Sequence, residues 1–350
     1  MSSSTSLVIN AVDVVNPLAG GKRALELYNV RKDAANVRVH TLIITTGQMD
    51  ALRRLADMPQ LLSDVQLLRV FGGDGLLNEC VNAIAKLVAD SDGGQLRWER
   101  AAQLRIQMHR CGSSNAVHKH ITDALALLPA ATPRDSKLVW LDVMRVRAKD
   151  GSFTRFATLH TGMALMADFD VLHEQKMRNV PVWAKDVLSP AIAILQYYTR
   201  RLQVKFKPAP VDAAAAWPKA YTKAPALDAD GWCVLDDTFL LVGILNMPWQ
   251  SGDICMAPNS HSGSLDLMVC RETPLGRTSP LWRYELVGLF NAMQNSGAHI
   301  GDPRIEYYNV SEVEVIPREA QAATIDGEVH QVSPAGINVT LFPKKLACIE

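Results

Sequence analysis

Three times in the N-terminal part of the chain, an apolar β-rich run ends in a glycine-bearing loop that leads straight into a helical stretch. Leu7–Val15 is followed by Asn16-Pro17-Leu18-Ala19-Gly20-Gly21 and a helical stretch over Lys22–Asn29. Gln66–Phe71 ends in Gly72-Gly73-Asp74-Gly75 and a helix to about Ala89, and Leu104–His109 ends in Cys111-Gly112-Ser113-Ser114-Asn115 before another helix. A further β-branched run, Val37–Thr45, precedes a helical stretch from about Gln48 to Ala56. Strand, loop and helix in this repetition imply parallel strands joined by right-handed crossovers. In such a sheet the loops after the strands share one edge, where ligands bind. Glycine lets backbone approach a ligand closely, and the helix that follows offers unpaired N–H groups and a positive dipole end. That chemistry suits phosphate. No GxxxxGK[ST] occurs and no GxGxxG follows the first strand, so neither a P-loop nor a Rossmann dinucleotide site is indicated.

From Lys137 the pattern changes. Leu138–Val146, Arg155–Leu165, Trp232–Asn246, Leu265–Cys270, Arg304–Pro317, Ala322–Ile325 and Ile337–Phe342 read as strands separated by turn residues, which predicts a mainly antiparallel sandwich or closed sheet. Helical stretches are expected over Met166–Arg178, Pro190–Arg201 and Pro280–Gln294, and the Ala- and Pro-rich stretch 207–230 as a flexible surface insertion. The expected division is an α/β domain with a parallel sheet over 5–135 and a β-rich domain over 136–346. A chain of 350 residues is long enough for two such cores. With 36 Lys+Arg against 36 Asp+Glu there is no electropositive footprint for nucleic acid. No apolar run is long enough to span a bilayer, and the start resembles neither a secretory leader nor a myristoylation site, so a cytoplasmic protein is expected. The six cysteines are scattered singly and read as reduced core thiols, and His118 and His120, spaced by two on a helix, make a poor zinc pair.

NPLAGGKRAL, FGGDGLLNECVNAI and CGSSNAV resemble the catalytic-domain motifs of the diacylglycerol kinase and sphingosine kinase superfamily. Met163–Arg178, with Ala-Asp-Phe-Asp before an acidic-basic helix, resembles a sphingosine kinase segment. Pro258 with Gly263-Ser264-Leu265-Asp266-Leu267, and the late Asp326-Gly327-Glu328, are similar to further motifs in family order. The resemblance spans residues 16 to 328, is closest to sphingosine kinases, and implies a phosphofructokinase- or NAD-kinase-like first domain and a lipid-binding second one.

Phosphoryl transfer to an alcohol needs screened phosphates, a metal and a base at the hydroxyl. The resemblance gives Asp74 the role of general base; a turn aspartate capping its own helix is the plainer alternative. Glu79, one turn further, would point to the same edge and orient the site or the metal, or be an ordinary helix glutamate. Asn16, Gly20, Gly72, Gly73, Gly75, Ser113, Asn115 and Arg178 are the implied ATP contacts, joined by Asp326, Gly327 and Glu328, with Mg²⁺ at Asp326 and Glu328. Without the resemblance that last segment is a hairpin turn. Asp168 and Asp170 are the substrate-side candidates: two positions apart in an extended segment they project to one side, and a carboxylate suits the ammonium and hydroxyls of a sphingoid base. The pattern departs at Ala19 and Ser114, and Trp183, with Lys185 close by, stands where a second arginine is usual. A helix near 187–202 is the implied gate over the lipid tail. The implied activity is phosphorylation of sphingosine to sphingosine 1-phosphate, with peripheral membrane contact; a diacylglycerol or ceramide kinase, or a silent lipid- or nucleotide-binding homologue, would use the same loops. The oligomeric state is not legible.

Overall fold

The computed structural model describes residues 8–33, 37–89, 95–112, 114–129, 132, 137–172, 180, 192, 199–210, 221–222, 224–260, 263–272, 282–294 and 297–349. The chain divides into two compact units: residues 1–143 with 344–350, and residues 144–343. The boundary expected at 135/136 falls instead within a strand, and the last residues return to the first unit.

Unit 1 is the parallel α/β domain expected from the sequence. Strands β1 (Ile9–Val15), β2 (Val37–Ile44), β3 (Leu67–Gly72) and β4 (Arg105–Arg110) lie in the order β2-β1-β3-β4, each pair parallel. Helices α1 (Arg23–Arg31), α2 (Asp50–Ala56), α3 (Asp74–Val88) and α4 (Ala116–Ala126) follow the four strands in turn. β3 is buried along its whole length, as a central parallel strand covered on both faces must be. Because β2 lies on one side of β1 and β3 on the other, the connections leaving β1 and β3 diverge, which places the switch point of the sheet between them.

The fifth parallel strand was missed by the sequence reading. A strand over Ile337–Ile349 carries Ala347–Ile349 alongside β4, parallel to it. The sequence pattern suggested an end at Phe342 because Pro343 and two lysines interrupt the apolar run. The interruption is instead a kink: Lys344 takes a positive φ of 52°, and its N–H donates to Asp142 at 2.7 Å.

A buried ion pair ties this sheet to α1. Asp13 and Arg69 are neighbours across β1 and β3, 0% and 2% exposed, and the guanidinium donates to both carboxylate oxygens at 2.7 and 2.6 Å. Arg69 also donates to the carbonyls of Arg31 and Lys32, which α1 leaves unpaired at its C-terminus. Burial pushes the Asp13 carboxyl up from its ordinary value even against the opposing pull of Arg69.

Unit 2 is the mostly antiparallel one. Its strands are β5 (Val139–Ala148, entering from unit 1), β6 (Thr154–Ala157), β7 (His160–Ala164), β8 (Arg200–Pro208), β9 (Cys233–Leu245), β10 (Leu265–Arg271), β11 (Ile305–Pro317), β12 (Gln321–Ile325), β13 (Glu328–Val332) and β14 (Ile337–Ile349). The long strands β9 and β11 hold β10 between them along one half and β8 along the other, so the pairing runs in a ring. β10 is buried on both faces: Leu265, Leu267 and Val269 enter one apolar core, Met268 and Cys270 another. Two helices are described here, α5 (Leu165–Asp170) and α6 (Trp282–Gln294). β8 replaces the end of the expected Pro190–Arg201 helix and the start of the expected 207–230 insertion. Its alternation, Leu202, Val204 and Phe206 fully buried with Gln203, Lys205 and Lys207 between them, is a period-2 signal present in the sequence. All six cysteines are buried thiols outside any disulfide, as expected.

Arg69→Met should lower unfolding free energy by about 3–5 kcal/mol, because Asp13 is left as a buried carboxylate without its partner. Asp13→Leu combined with Arg69→Met should recover much of that loss, measured by denaturant unfolding. Equal losses in the single and double variants would show that the pair is not what holds β1 to β3.

Candidate functional site

The loops after β1, β3 and β4 pack on one another in unit 1. The N–H of Asn16 donates to the carbonyl of Phe71 at 3.0 Å, and the Asn16 side chain accepts from the N–H of Leu18 at 3.1 Å. Gly20 has φ +58°, and a Cβ there would collide with the carbonyl of Cys111. Gly73 and Gly112 lie backbone against backbone, so a Cβ on either would strike the other. Asn115 takes φ +51°, a conformation asparagine tolerates, and its amide clasps Gly112, accepting from its N–H at 2.9 Å and donating to its carbonyl at 2.6 Å. A Cβ at Gly72 would strike Leu76. The sequence reading assigned these glycines to ligand approach; here they serve the approach of one loop to the next.

Gly75 is different. It is exposed in the first turn of α3, and a Cβ there would meet nothing within 4 Å. Glycine inside a helix costs about 1 kcal/mol relative to alanine, and no protein contact demands it here. Within that turn the N–H groups of Leu76 and Leu77 already donate to the Gly73 carbonyl, at 3.1 and 3.3 Å, so what Gly75 adds is open space at the start of the helix.

Two carboxylates of α3 anchor the neighbouring helices. α2 and α4 begin after residues in left-handed conformation, Met49 and Asn115, and neither start has a side-chain cap from its own N-cap residue. Glu79 accepts from the N–H groups of Met49 and Ala51, each at 2.9 Å, and of Leu52 at 3.4 Å. Asp74 accepts from Ala116 at 2.9 Å and Val117 at 3.1 Å, one on each oxygen. Both side chains are buried, with 9% and 8% of Asp74 and Glu79 exposed. Asp74 therefore caps α4. Glu79 does turn toward the carboxyl edge of the sheet, where its oxygens are engaged with the start of α2.

In unit 2, Asp326 and Gly327 form the two-residue turn of the β12–β13 hairpin, with φ 47° and 85°, the combination a tight Asp-Gly hairpin requires. The Asp326 carboxylate accepts from the N–H groups of Thr158, Leu159 and His160 at 2.8–3.0 Å and from the Thr158 hydroxyl at 3.3 Å. Those bonds take up most of the roughly four acceptor positions of a carboxylate. Glu328, the first residue after the turn, lies 3.8 Å from His330. Burial and nearby Arg155 hold His330 down at about 4, so at neutral pH this contact is not an ion pair.

The expectation that Asp168 and Asp170 project to one side is corrected. Residues 165–170 are helical, and a spacing of two on a helix turns side chains about 200° apart. Asp168 faces Arg200 at 3.5 Å, whereas Asp170 accepts a hydrogen bond from the Thr324 hydroxyl. Thr324 was missed by the sequence reading because a threonine in a strand signals little by itself. Also missed was the seat of α5: Gly162 and Gly243 are paired across β7 and β9, and the Met166 sulfur occupies the space their side chains would fill.

Ser113, Arg178, Trp183, Lys185 and most of the expected 187–202 helix lie outside the described residues. Among the described residues no three His, Cys, Asp or Glu side chains are gathered as a metal cluster. None of the described helices is long and apolar enough to cross a membrane.

Residues 10–136 match the family model of the diacylglycerol kinase catalytic domain. No curated protein matches the chain by sequence. Among solved structures, one from Bacillus anthracis strain Sterne assigned as a diacylglycerol kinase aligns with 100% of this chain and 98% of its own at 18% identity and a TM-score of 0.61. A second from the same strain, also assigned as a diacylglycerol kinase, covers 99% and 98% at 16% identity and a TM-score of 0.55. At such identities the likeness is one of fold.

Beneath the loops, His109 is stacked on Phe71 at 4.1 Å and 5% exposed, and burial with Arg31 and Arg69 nearby pushes it down to about 3. Below its unfolded value of 6.5 the unfolded chain takes a proton that the folded one refuses. Stability is therefore full above pH 6.5 and falls toward pH 3. From pH 7 to 5 the loss from this residue should be about 2 kcal/mol, and His109→Phe should remove that part of the slope in denaturant titrations. An unchanged slope would mean that His109 titrates normally. Glu79→Gln should cost about 1–3 kcal/mol, because an amide nitrogen would face helix donors, with faster hydrogen exchange confined to α2.

Proposed function

We propose that the chain is an ATP-dependent lipid kinase that phosphorylates the primary hydroxyl of a sphingoid base, with Asp74 as general base. The observation that carries this reading is the placement of Asp74: a buried carboxylate fixed by the first turn of α4, one residue from the open space at Gly75, at the carboxyl edge of a parallel sheet. The match of residues 10–136 to a lipid-kinase catalytic domain supports it.

The first turn of α3, opened by Gly75, would receive phosphate oxygens on its N–H groups. Asn16, Gly20, Gly72, Gly73 and Asn115 shape that surface by holding the three loops together. Ser113 and Arg178 belong to the same nucleotide contacts through the family resemblance. Asp74 takes the proton of the lipid hydroxyl as its oxygen bonds to the γ-phosphorus; the bond from that phosphorus to the bridging oxygen breaks, and ADP leaves with the electron pair. Asp74 can do this while capping α4, because a carboxylate oxygen accepts in more than one direction.

The donor set fits Mg²⁺ arriving with the nucleotide: Mg²⁺ binds through one or two carboxylates, water and phosphates, so no three-residue protein cluster is needed. Through the family resemblance Asp326 and Glu328 are the carboxylates assigned to the ion; within unit 2 the Asp326 carboxylate holds the turn that Glu328 follows. When bound, the ion supplies positive charge against the β- and γ-phosphates. On the lipid side Asp170 is the headgroup carboxylate, suited to an ammonium and hydroxyl. A diacylglycerol substrate is the second reading, favoured by the family matched over residues 10–136. In either case the substrate is insoluble, and peripheral membrane contact from the cytoplasm follows from that.

Purified protein with Mg-ATP and separate pools of sphingosine, ceramide and diacylglycerol should phosphorylate sphingosine, read by mass. Asp74→Asn should lower the rate by at least about 100-fold while leaving the fold intact by circular dichroism. Diacylglycerol phosphate as sole product would transfer the reading to the alternative. Full activity in Asp74→Asn would falsify the base assignment.

A further inference from the structure

We infer that Arg110, the last residue of β4, is a phosphate-binding residue for the nucleotide in unit 1. The inference rests on the proposed kinase reading and adds a contact that lies outside the motifs carrying it. Arg110 ends β4 at the carboxyl edge of the sheet and is exposed. Its register partner on β3 is Gly72, and the N–H of Cys111 donates to the Gly72 carbonyl at 3.3 Å. Register partners on neighbouring strands project their Cβ atoms to the same face of the sheet. A Cβ at Gly72 would strike Leu76, so this is the face that α3 covers. Ile106 and Met108, spaced by two along β4, are buried on it. Arg110 continues that row to the end of the strand, beside the turn Gly72-Gly73-Asp74-Gly75.

Pairing and position set Arg110 apart from the other cations near this edge. Among the described residues its guanidinium has no hydrogen-bond or ion-pair partner. Arg53 and Arg54, on the helix that packs against α3, both face Asp50, at 3.7 and 3.8 Å. Lys22 and Arg23 stand at the start of α1, which covers the opposite face, where its Tyr28 meets the Phe71 ring. Asp74 holds its two oxygens on the N–H groups of Ala116 and Val117. A nucleoside triphosphate brings several negative charges to a turn whose own charged side chain, Asp74, is also negative. Glycines cannot offset that charge. A guanidinium can, because its planar fork meets two phosphate oxygens at once. With Asp74 as base at the lipid hydroxyl, Arg110 holds phosphate oxygens of ATP and stabilises the negative charge they carry.

The test uses the full chain with Arg110→Gln and Arg110→Lys, substitutions at an exposed position that should leave the circular dichroism spectrum unchanged. Titration calorimetry without lipid should show ATP and ADP binding weakened about 10- to 100-fold in Arg110→Gln, with adenosine bound as in the wild type. Arg110→Lys should recover part of the loss, because the charge returns without the fork. Inorganic pyrophosphate should compete with ATP for the wild type and compete less for Arg110→Gln. During turnover, Arg110→Gln should raise KM for ATP and leave KM for the lipid unchanged. Wild-type affinity for ATP in Arg110→Gln, or equal weakening of adenosine and ATP, overturns the phosphate role. Failure of the lipid-kinase reading is recognised separately, as a wild-type protein that binds ATP and phosphorylates no lipid; calorimetry then decides the role of Arg110 by itself. A wild-type protein that binds no nucleotide overturns both.

Discussion

Unit 1 depends on the way α3 supplies the ends of its neighbours. The first N–H groups of a helix have no partner within it, and neither Met49 nor Asn115 caps the helix that follows it. α2 and α4 both begin that way, and the missing acceptors come from Glu79 and Asp74 on α3. The carboxylates gain the favourable end of two helix dipoles, and the helices gain their caps. Because both acceptors sit on one rigid 15-residue helix, the loops that precede α2 and α4 are fixed relative to the loop that precedes α3. The ligand edge of the sheet is thereby set by two side chains.

This arrangement changes what the glycines mean. Gly20 against Cys111, and Gly73 against Gly112, allow three loops to share a space that side chains would fill. Their small size is consumed inside the protein. Gly75 is the one of the Gly72-Gly73-Asp74-Gly75 set whose missing side chain faces open space. A motif of this kind therefore combines two constraints, loop-on-loop packing and room for a ligand, that look identical in sequence.

The legible part of the sequence was the part governed by local periodicity. Parallel crossovers, antiparallel strands in the second half and the buried thiols all follow from patterns within short windows. What escaped was decided by partners far along the chain. β14 passes through a Pro-Lys-Lys interruption because β4 offers it an open edge and Asp142 holds the kink. β8 was legible by its alternation but was masked by the helical reading that ran into it. Glu79 and Asp74 were visible as acidic residues near a glycine loop, yet nothing in their own segment reveals that their acceptors serve helices roughly thirty to forty positions away. Asp168 and Asp170 misled because the sequence leaves open whether the segment is extended or helical, and that choice reverses whether two carboxylates cooperate.

That reversal bears on substrate chemistry. Two carboxylates on one side would form a divalent acidic site, suited to a metal or to a doubly cationic ligand. On a helix they separate: one is matched by Arg200 and the other is oriented by a buried hydroxyl. The two carboxylates of α5 therefore do not act as one acidic site; each is tied to a different strand of the unit, β8 or β12.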